Sequence, residues 1–184
     1  NPHKIRELRA VLPEHWELLT ASDLGIAGEL PEDGTTLHEN AQQKSEFLWH
    51  ACGLPSLADD SGLEVDVLEG LPGVHSAYFA GPQKSDSDNR AKLLLQMQNA
   101  AERKARFKTV LAWTTLAGTS LYLGQVEGEI TRAERGSQGF GYDSLFVPSE
   151  GDGRTFAEMR EGEKSLISHR SRAVAAWLKA LQKS

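Results

Sequence analysis

The chain has 184 residues, with 20 Lys and Arg against 26 Asp and Glu, and a formal net charge of −6. That length suits one domain whose core needs no staples, and the acidic balance speaks against a general binder of nucleic acid or of an anionic membrane surface. The single cysteine, Cys52, excludes an intrachain disulfide and fits a reducing, cytoplasmic setting, while no apolar run is long enough to span a bilayer and no signal peptide is read.

In chain order, Asn1 is a good N-cap and Pro2 suits the first helical position, so a helix carrying Ile5, Leu8 and Leu12 is expected up to Pro13. A strand is expected ahead of it. Trp16–Ala21 reads as a short strand, followed by a Gly/Pro/acid loop. Thr36 to Glu39 is a capping box that opens a helix closed by Gly53 and Pro55. On that helix Asn40 and Lys44, four apart, share a face. Leu63–Leu68 alternates like a strand, and a Gly/Pro-punctuated loop follows. A helix is expected from Ser87 or Asp88 to about Ala101, with Leu93, Leu94 and Met97 facing inward. Two long strands pair as a hairpin over Ala117–Gly118. A glycine-rich loop leads to a short strand, Ser144–Val147, and a second capping box lies at Thr155–Glu158. Val174, Trp177, Leu178 and Leu181 mark the apolar face of a last helix. The pattern is a mixed α/β domain with a curved, mostly antiparallel sheet and flanking helices.

Four stretches carry polar residues that packing does not require. Asn1 and Lys4 at a helix mouth suit a phosphate, or an ordinary cap beside a solvated lysine. Asp59-Asp60-Ser61-Gly62 interrupts an apolar run with two adjacent carboxylates. A hard divalent cation would neutralise them, and a polar turn is the alternative; Gly62 admits a close approach by backbone or ligand. Gly139-Phe140-Gly141-Tyr142-Asp143 offers a ring on which a base can stack and a carboxylate for a ring N–H, or a loop plugged into the core by Phe140. Lys164, His169 and Arg170 offer donors to an oxyanion or a carbonyl, or are surface groups. P-loop, HExxH and EF-hand patterns are absent.

Together "NPHKIREL", "EDGTTLHENAQQK", "LADDSGLEVDVLEGLPGVHSAYFAG", "GEITRAERGSQGFGYDSLFVP" and "TFAEMREGEKSLISHRSRA" resemble the inosine triphosphatase family in its bacterial form, in the family's order and over nearly the whole chain. The resemblance implies an α/β fold, elongated and two-lobed, around a long curved mixed β-sheet flanked by helices. It implies a homodimer and Mg²⁺-dependent hydrolysis of XTP, ITP or dITP to the monophosphate and pyrophosphate. Residues 1–184 then form a single domain, with the family's first strand and the threonine before its N-x-x-K asparagine lacking a counterpart.

By the same resemblance Asp60 is the catalytic acid and Mg²⁺ ligand, Asp59 supports it from the second shell, and Glu32 is a second metal carboxylate. Ser61 contacts substrate. Asn1, Lys4 and Lys44 face the triphosphate, with Glu39 and Asn40 nearby. Phe140 stacks on the base beside Gly141, Tyr142 and Asp143, while Lys164, His169 and Arg170 read the 6-oxo edge. A pyrophosphatase for other modified nucleotides and a non-catalytic nucleotide-binding module are the competing readings. No nucleic-acid polymer or membrane is expected as a partner.

Overall fold

Residues 2–9 and 12–182 are described by the structure, a computed structural model. Helix α1 spans Pro2–Arg9; Asn1, its expected cap, lies outside the described residues. Helix α2, Leu37–Cys52, begins at the expected capping box. Thr36 and Glu39 exchange side-chain and backbone hydrogen bonds there, and Gly53 closes the helix in the left-handed conformation at φ 68°. Strand β1 runs Ser56–Val65 without a break. The polar Asp59–Gly62 stretch is therefore strand interior rather than a turn, and of the strand expected at Leu63–Leu68 only Leu63–Val65 is strand, as the last three residues of β1. Asp66–Leu68 instead forms a 3₁₀ turn.

Helix α3 is Asp86–Gln96, capped by Ser85 at its start and by the buried Met97 at its end, so it stops before Ala101. Strands β2 (Lys104–Thr115) and β3 (Gly118–Ile130) form the expected hairpin, closed by the pair Thr115 and Gly118 so that Leu116–Ala117 make the turn. Strand β4 is Phe146–Pro148. Helix α4, Glu161–Ile167, was not anticipated; helix α5, His169–Leu181, was.

The four strands lie in sequence order, each antiparallel to its neighbour. Trp16–Ala21, expected as a strand, carries no ladder among the described residues. Side chains hold that segment instead: the Trp16 ring stacks on Trp113 and meets Trp177 edge-on, both at 5.9 Å between centroids.

Directly opposed residues of an antiparallel pair share a face. Leu111 and Val110, adjacent on β2, pack into different cores: Leu111 with Val174 and Trp177 of α5, Val110 with Leu37 and Ala41 of α2. Helix α5 thus covers one face of the sheet and α2 the other. The largest core, with Leu63, Phe107, Val126 and Phe146, sits toward the open end of the hairpin, and the tryptophan-rich core toward its turn.

Two glycines permit close approaches. A Cβ at Gly62 would overlap the Gly73 carbonyl of the 3₁₀ helix Gly73–Tyr78, so the close partner of Gly62 is backbone. A Cβ at Gly124 on β3 would overlap the His169 carbonyl and meet the Ala173 backbone nitrogen, so the first turn of α5 rests directly on the sheet.

Candidate active site

Strand β1 resolves the paradox of its two acids by alternation. Asp59 opposes Leu111 and Asp60 opposes Val110, so adjacent carboxylates leave opposite faces of the sheet. Each meets its own cations.

On the α2 face, Asp60 Oδ1 accepts from Lys44 Nζ at 2.7 Å and Oδ2 from Asn40 Nδ2 at 3.3 Å. Lys44 also donates to Glu32 Oε2 at 3.3 Å. The i, i+4 spacing on α2 puts Asn40 and Lys44 there, and the capping box fixes where the helix begins. Glu39 is committed to that cap: its Oε2 accepts from the Thr35 and Thr36 backbone and the Thr35 hydroxyl. Burial raises the Asp60 pKa, offset only in part by Lys44 and Asn40. Burial would lower Lys44, but Asp60, Asp59 and Glu32 outweigh it and its pKa rises.

Asp60 and Glu32 therefore converge on one positive charge with hard oxygen donors. Among the described residues no group of three or more His, Cys, Asp or Glu is placed to hold a metal ion. Mg²⁺ is ordinarily held by one or two carboxylates, with water and substrate phosphate completing the octahedron, so this pair fits it.

On the α5 face, Asp59 Oδ2 accepts from Lys4 Nζ at 2.7 Å and from the Ser61 hydroxyl at 3.1 Å, and lies 3.7 Å from Arg170 Nε. Ser61 in turn meets the fully buried Thr109 hydroxyl at 2.7 Å. Burial works against the Asp59 charge, yet the Lys4 ammonium and the Arg170 guanidinium hold its carboxyl well below the usual range. The expected place of Asp59 behind Asp60 is not the one it takes: it leans on α1 and α5, across the sheet from Lys44 and Glu32.

Arg170 joins this group to a third. Its guanidinium lies 5.7 Å from the half-buried Phe140 ring, and Lys164 Nζ lies 5.1 Å from the same ring. Lys164 donates to Asp143 Oδ2 at 2.6 Å, and that carboxylate also accepts from the Phe140 backbone N–H at 3.0 Å. Both partners of the Asp143–Lys164 pair are buried, so Asp143 is occupied with holding the lysine and the loop. His169 stacks on Phe107 at 4.7 Å and 13°, with Nδ1 buried and without a hydrogen-bond partner. Tyr142 is not at the site: its ring is in the core and its hydroxyl donates to the Ser76 carbonyl at 2.9 Å.

Burial, then the nearby Arg170 and Lys164 charges, lower the His169 pKa well below 6.5. A group depressed in the fold contributes stability that is present above its unfolded pKa and lost as pH falls. The protein is expected to lose stability below 6.5 as the unfolded chain takes up a proton that folded His169 refuses. His169→Gln should flatten that loss. Denaturant unfolding on either side of 6.5 checks it, and identical slopes for both proteins would contradict it.

Sequence reasoning missed three supporting residues. Asp86 and Arg90 of α3 grip the glycine loop: Asp86 Oδ2 accepts from Gly141 N at 2.8 Å, and Arg90 Nη1 donates to Gly141 O at 2.9 Å. Thr109 backs Ser61. Only Thr109 left a trace in the sequence, as a hydroxyl inside an apolar strand. A cavity of about 660 Å³ lies apart, lined by Trp16, Leu48, Leu57, Trp113 and Trp177 among others; none of the sequence-predicted site residues borders it. Its apolar wall does not suit a triphosphate.

A sequence model of the Ham1 family matches residues 1–180. The chain is 44% identical to a dITP/XTP pyrophosphatase of Christiangramia forsetii, over 100% of this chain and 96% of the relative. It is 47% identical to a dITP/XTP pyrophosphatase of Thermus thermophilus, over 98% of this chain and 87% of the relative. Its fold superposes on the Staphylococcus aureus Ham1 protein with a TM-score of 0.91 at 36% identity, covering 100% of this chain and 94% of that one. With the fold and nearly the full length in common, the chain belongs to the Ham1 family.

Proposed function

We propose that this chain hydrolyses the non-canonical purine nucleoside triphosphates XTP, ITP and dITP to the monophosphate and pyrophosphate, clearing them from the nucleotide pool. The observation that carries the reading is the arrangement of the two faces of β1. A carboxylate–lysine cluster suited to metal and phosphate lies on one face, and an aromatic ring flanked by cations suited to a purine lies on the other. The names of the relatives point the same way.

Phosphoryl chemistry of this kind is mostly positioning and charge neutralisation. Asp60 and Glu32 would hold Mg²⁺, which would neutralise phosphate oxygens and acidify the attacking water. Asp60 orients that water and accepts its proton. Oxygen attacks the α-phosphorus, the α–β bridging bond breaks, and pyrophosphate leaves with the bond's electrons. Lys44 and Lys4 neutralise charge on the triphosphate from either side of β1, and Ser61, on the α5 face beside Asp59, contacts the substrate as it crosses β1. Asn1 belongs to the triphosphate side in this reading.

The base stacks on Phe140. His169, kept neutral by burial, and Arg170 donate to the 6-oxo edge, with Lys164 beside them. Adenine would set its amino group against donors, leaving buried groups unpaired, which is strongly disfavoured. Assembly as a homodimer and work in the cytoplasm belong to the same reading.

Hydrolysis of ITP in ¹⁸O-water tests the reaction. Label recovered in the monophosphate is expected; label in pyrophosphate, or release of single phosphates, would overturn attack at the α-phosphorus.

A further inference from the structure

We infer that Asp59 is a positioning residue whose one carboxylate holds Lys4 of α1 and Arg170 of α5 together and so sets base selectivity. The inference rests on the pyrophosphatase reading and deepens it.

Four observations carry it. Asp59 faces α5, and Asp60 faces α2. A single oxygen, Oδ2, faces both cations, 2.7 Å from Lys4 and 3.7 Å from Arg170. The Ser61 hydroxyl, backed by Thr109, fixes that oxygen from the strand side. The adjoining cavity, bordered by Lys4, Asp59 and Arg170, is only about 40 Å³. Ligand pockets run to about 300–1,000 Å³, so Asp59 acts on substrate through its two cations.

The Arg170 side chain is only 5% exposed, so its direction depends on what anchors it. Its guanidinium sits between Asp59 and the Phe140 ring. Removing the Asp59 charge takes away one of the groups that direct Arg170, and frees Lys4 at the same time. A reader of the 6-oxo edge that is no longer held in place discriminates less, because selectivity requires the donor to be fixed when the wrong edge arrives.

The test is Asp59→Asn, read by three measurements. The ratio of kcat/KM for ITP over ATP should fall about tenfold or more, because a fixed donor is what rejects the amino edge. Binding of inosine, which has no phosphate, should weaken several-fold by calorimetry. The Mg²⁺ concentration for half-activation should stay within about twofold, whereas support of the metal ligands from behind would cost about 10–100-fold in metal affinity. An unchanged selectivity ratio, or a Mg²⁺ shift of that larger size, overturns the inference.

If Asp59→Asn does not fold, Asp59→Glu retains the charge but moves it outward by one methylene. It should fold and show an intermediate ratio, and a wild-type ratio would count against the positioning role. Failure of the underlying reading looks different. Wild-type protein would then release no pyrophosphate from ITP, while the inosine comparison would still report on Asp59.

Discussion

Asp60→Asn is expected to reduce pyrophosphate release from ITP by about a thousandfold or more, without loss of the fold. The substitution removes both a metal oxygen donor and the proton acceptor for the attacking water. It keeps the shape of the side chain and one acceptor oxygen for Lys44, and gives up the longer hydrogen bond from Asn40. Burial already works against the Asp60 charge, so a neutral group there relieves a desolvation cost even as Lys44 loses a counter-ion. Lys44 keeps Glu32 as a partner. Turnover and thermal unfolding measured together check this. A folded Asp60→Asn protein with near-wild-type turnover would remove Asp60 from the reaction.

Gly124→Ala is expected to destabilise the protein by at least about 1–3 kcal/mol, the usual cost of overpacking a core. The added methyl meets backbone, the His169 carbonyl and the Ala173 nitrogen, rather than a side chain that can rotate away. Helix α5 must then lift off β3 at its first turn. That turn carries His169 and Arg170, so base selectivity should decline along with the melting temperature. A variant with wild-type Tm and wild-type discrimination between ITP and ATP would show that α5 does not need this close seat.

Where local chemistry and global packing agree, the fold was legible in the sequence. Helix α2 announced both ends through its capping box and Gly53, and α5 showed its apolar stripe of Val174, Trp177, Leu178 and Leu181. The hairpin was visible, its turn displaced by one residue. At Asp59–Gly62 the reading of a strand held and the turn alternative, offered because Asp, Ser and Gly favour turns, fell, since β2 pairs with every residue of the stretch. Errors arose where tertiary contacts overrode local preference. Trp16–Ala21 has strand-like residues but Trp16 is held by aromatic packing instead of a ladder. Helix α4 is two turns long and hides among charged residues.

Most of the site was equally legible by residue type, but its pairings were not. Sequence put Asp59 behind Asp60 because they are neighbours in the chain. The pleat separates them across the sheet, and only the register against Leu111 and Val110 reveals it. Asp143 was expected to face a base; the buried ammonium of Lys164 has claimed it. Tyr142 was grouped with Phe140 by adjacency, yet one ring is half-exposed over two cations and the other is in the core.

The most direct test of the account is pyrophosphate release with Mg²⁺ from XTP, ITP, dITP, GTP and ATP, measured side by side at equal concentrations. The account predicts strong turnover of the first three and little of GTP or ATP. Equal turnover of all five would contradict base reading by His169 and Arg170, and no turnover by folded, Mg²⁺-supplied protein would contradict the hydrolase itself.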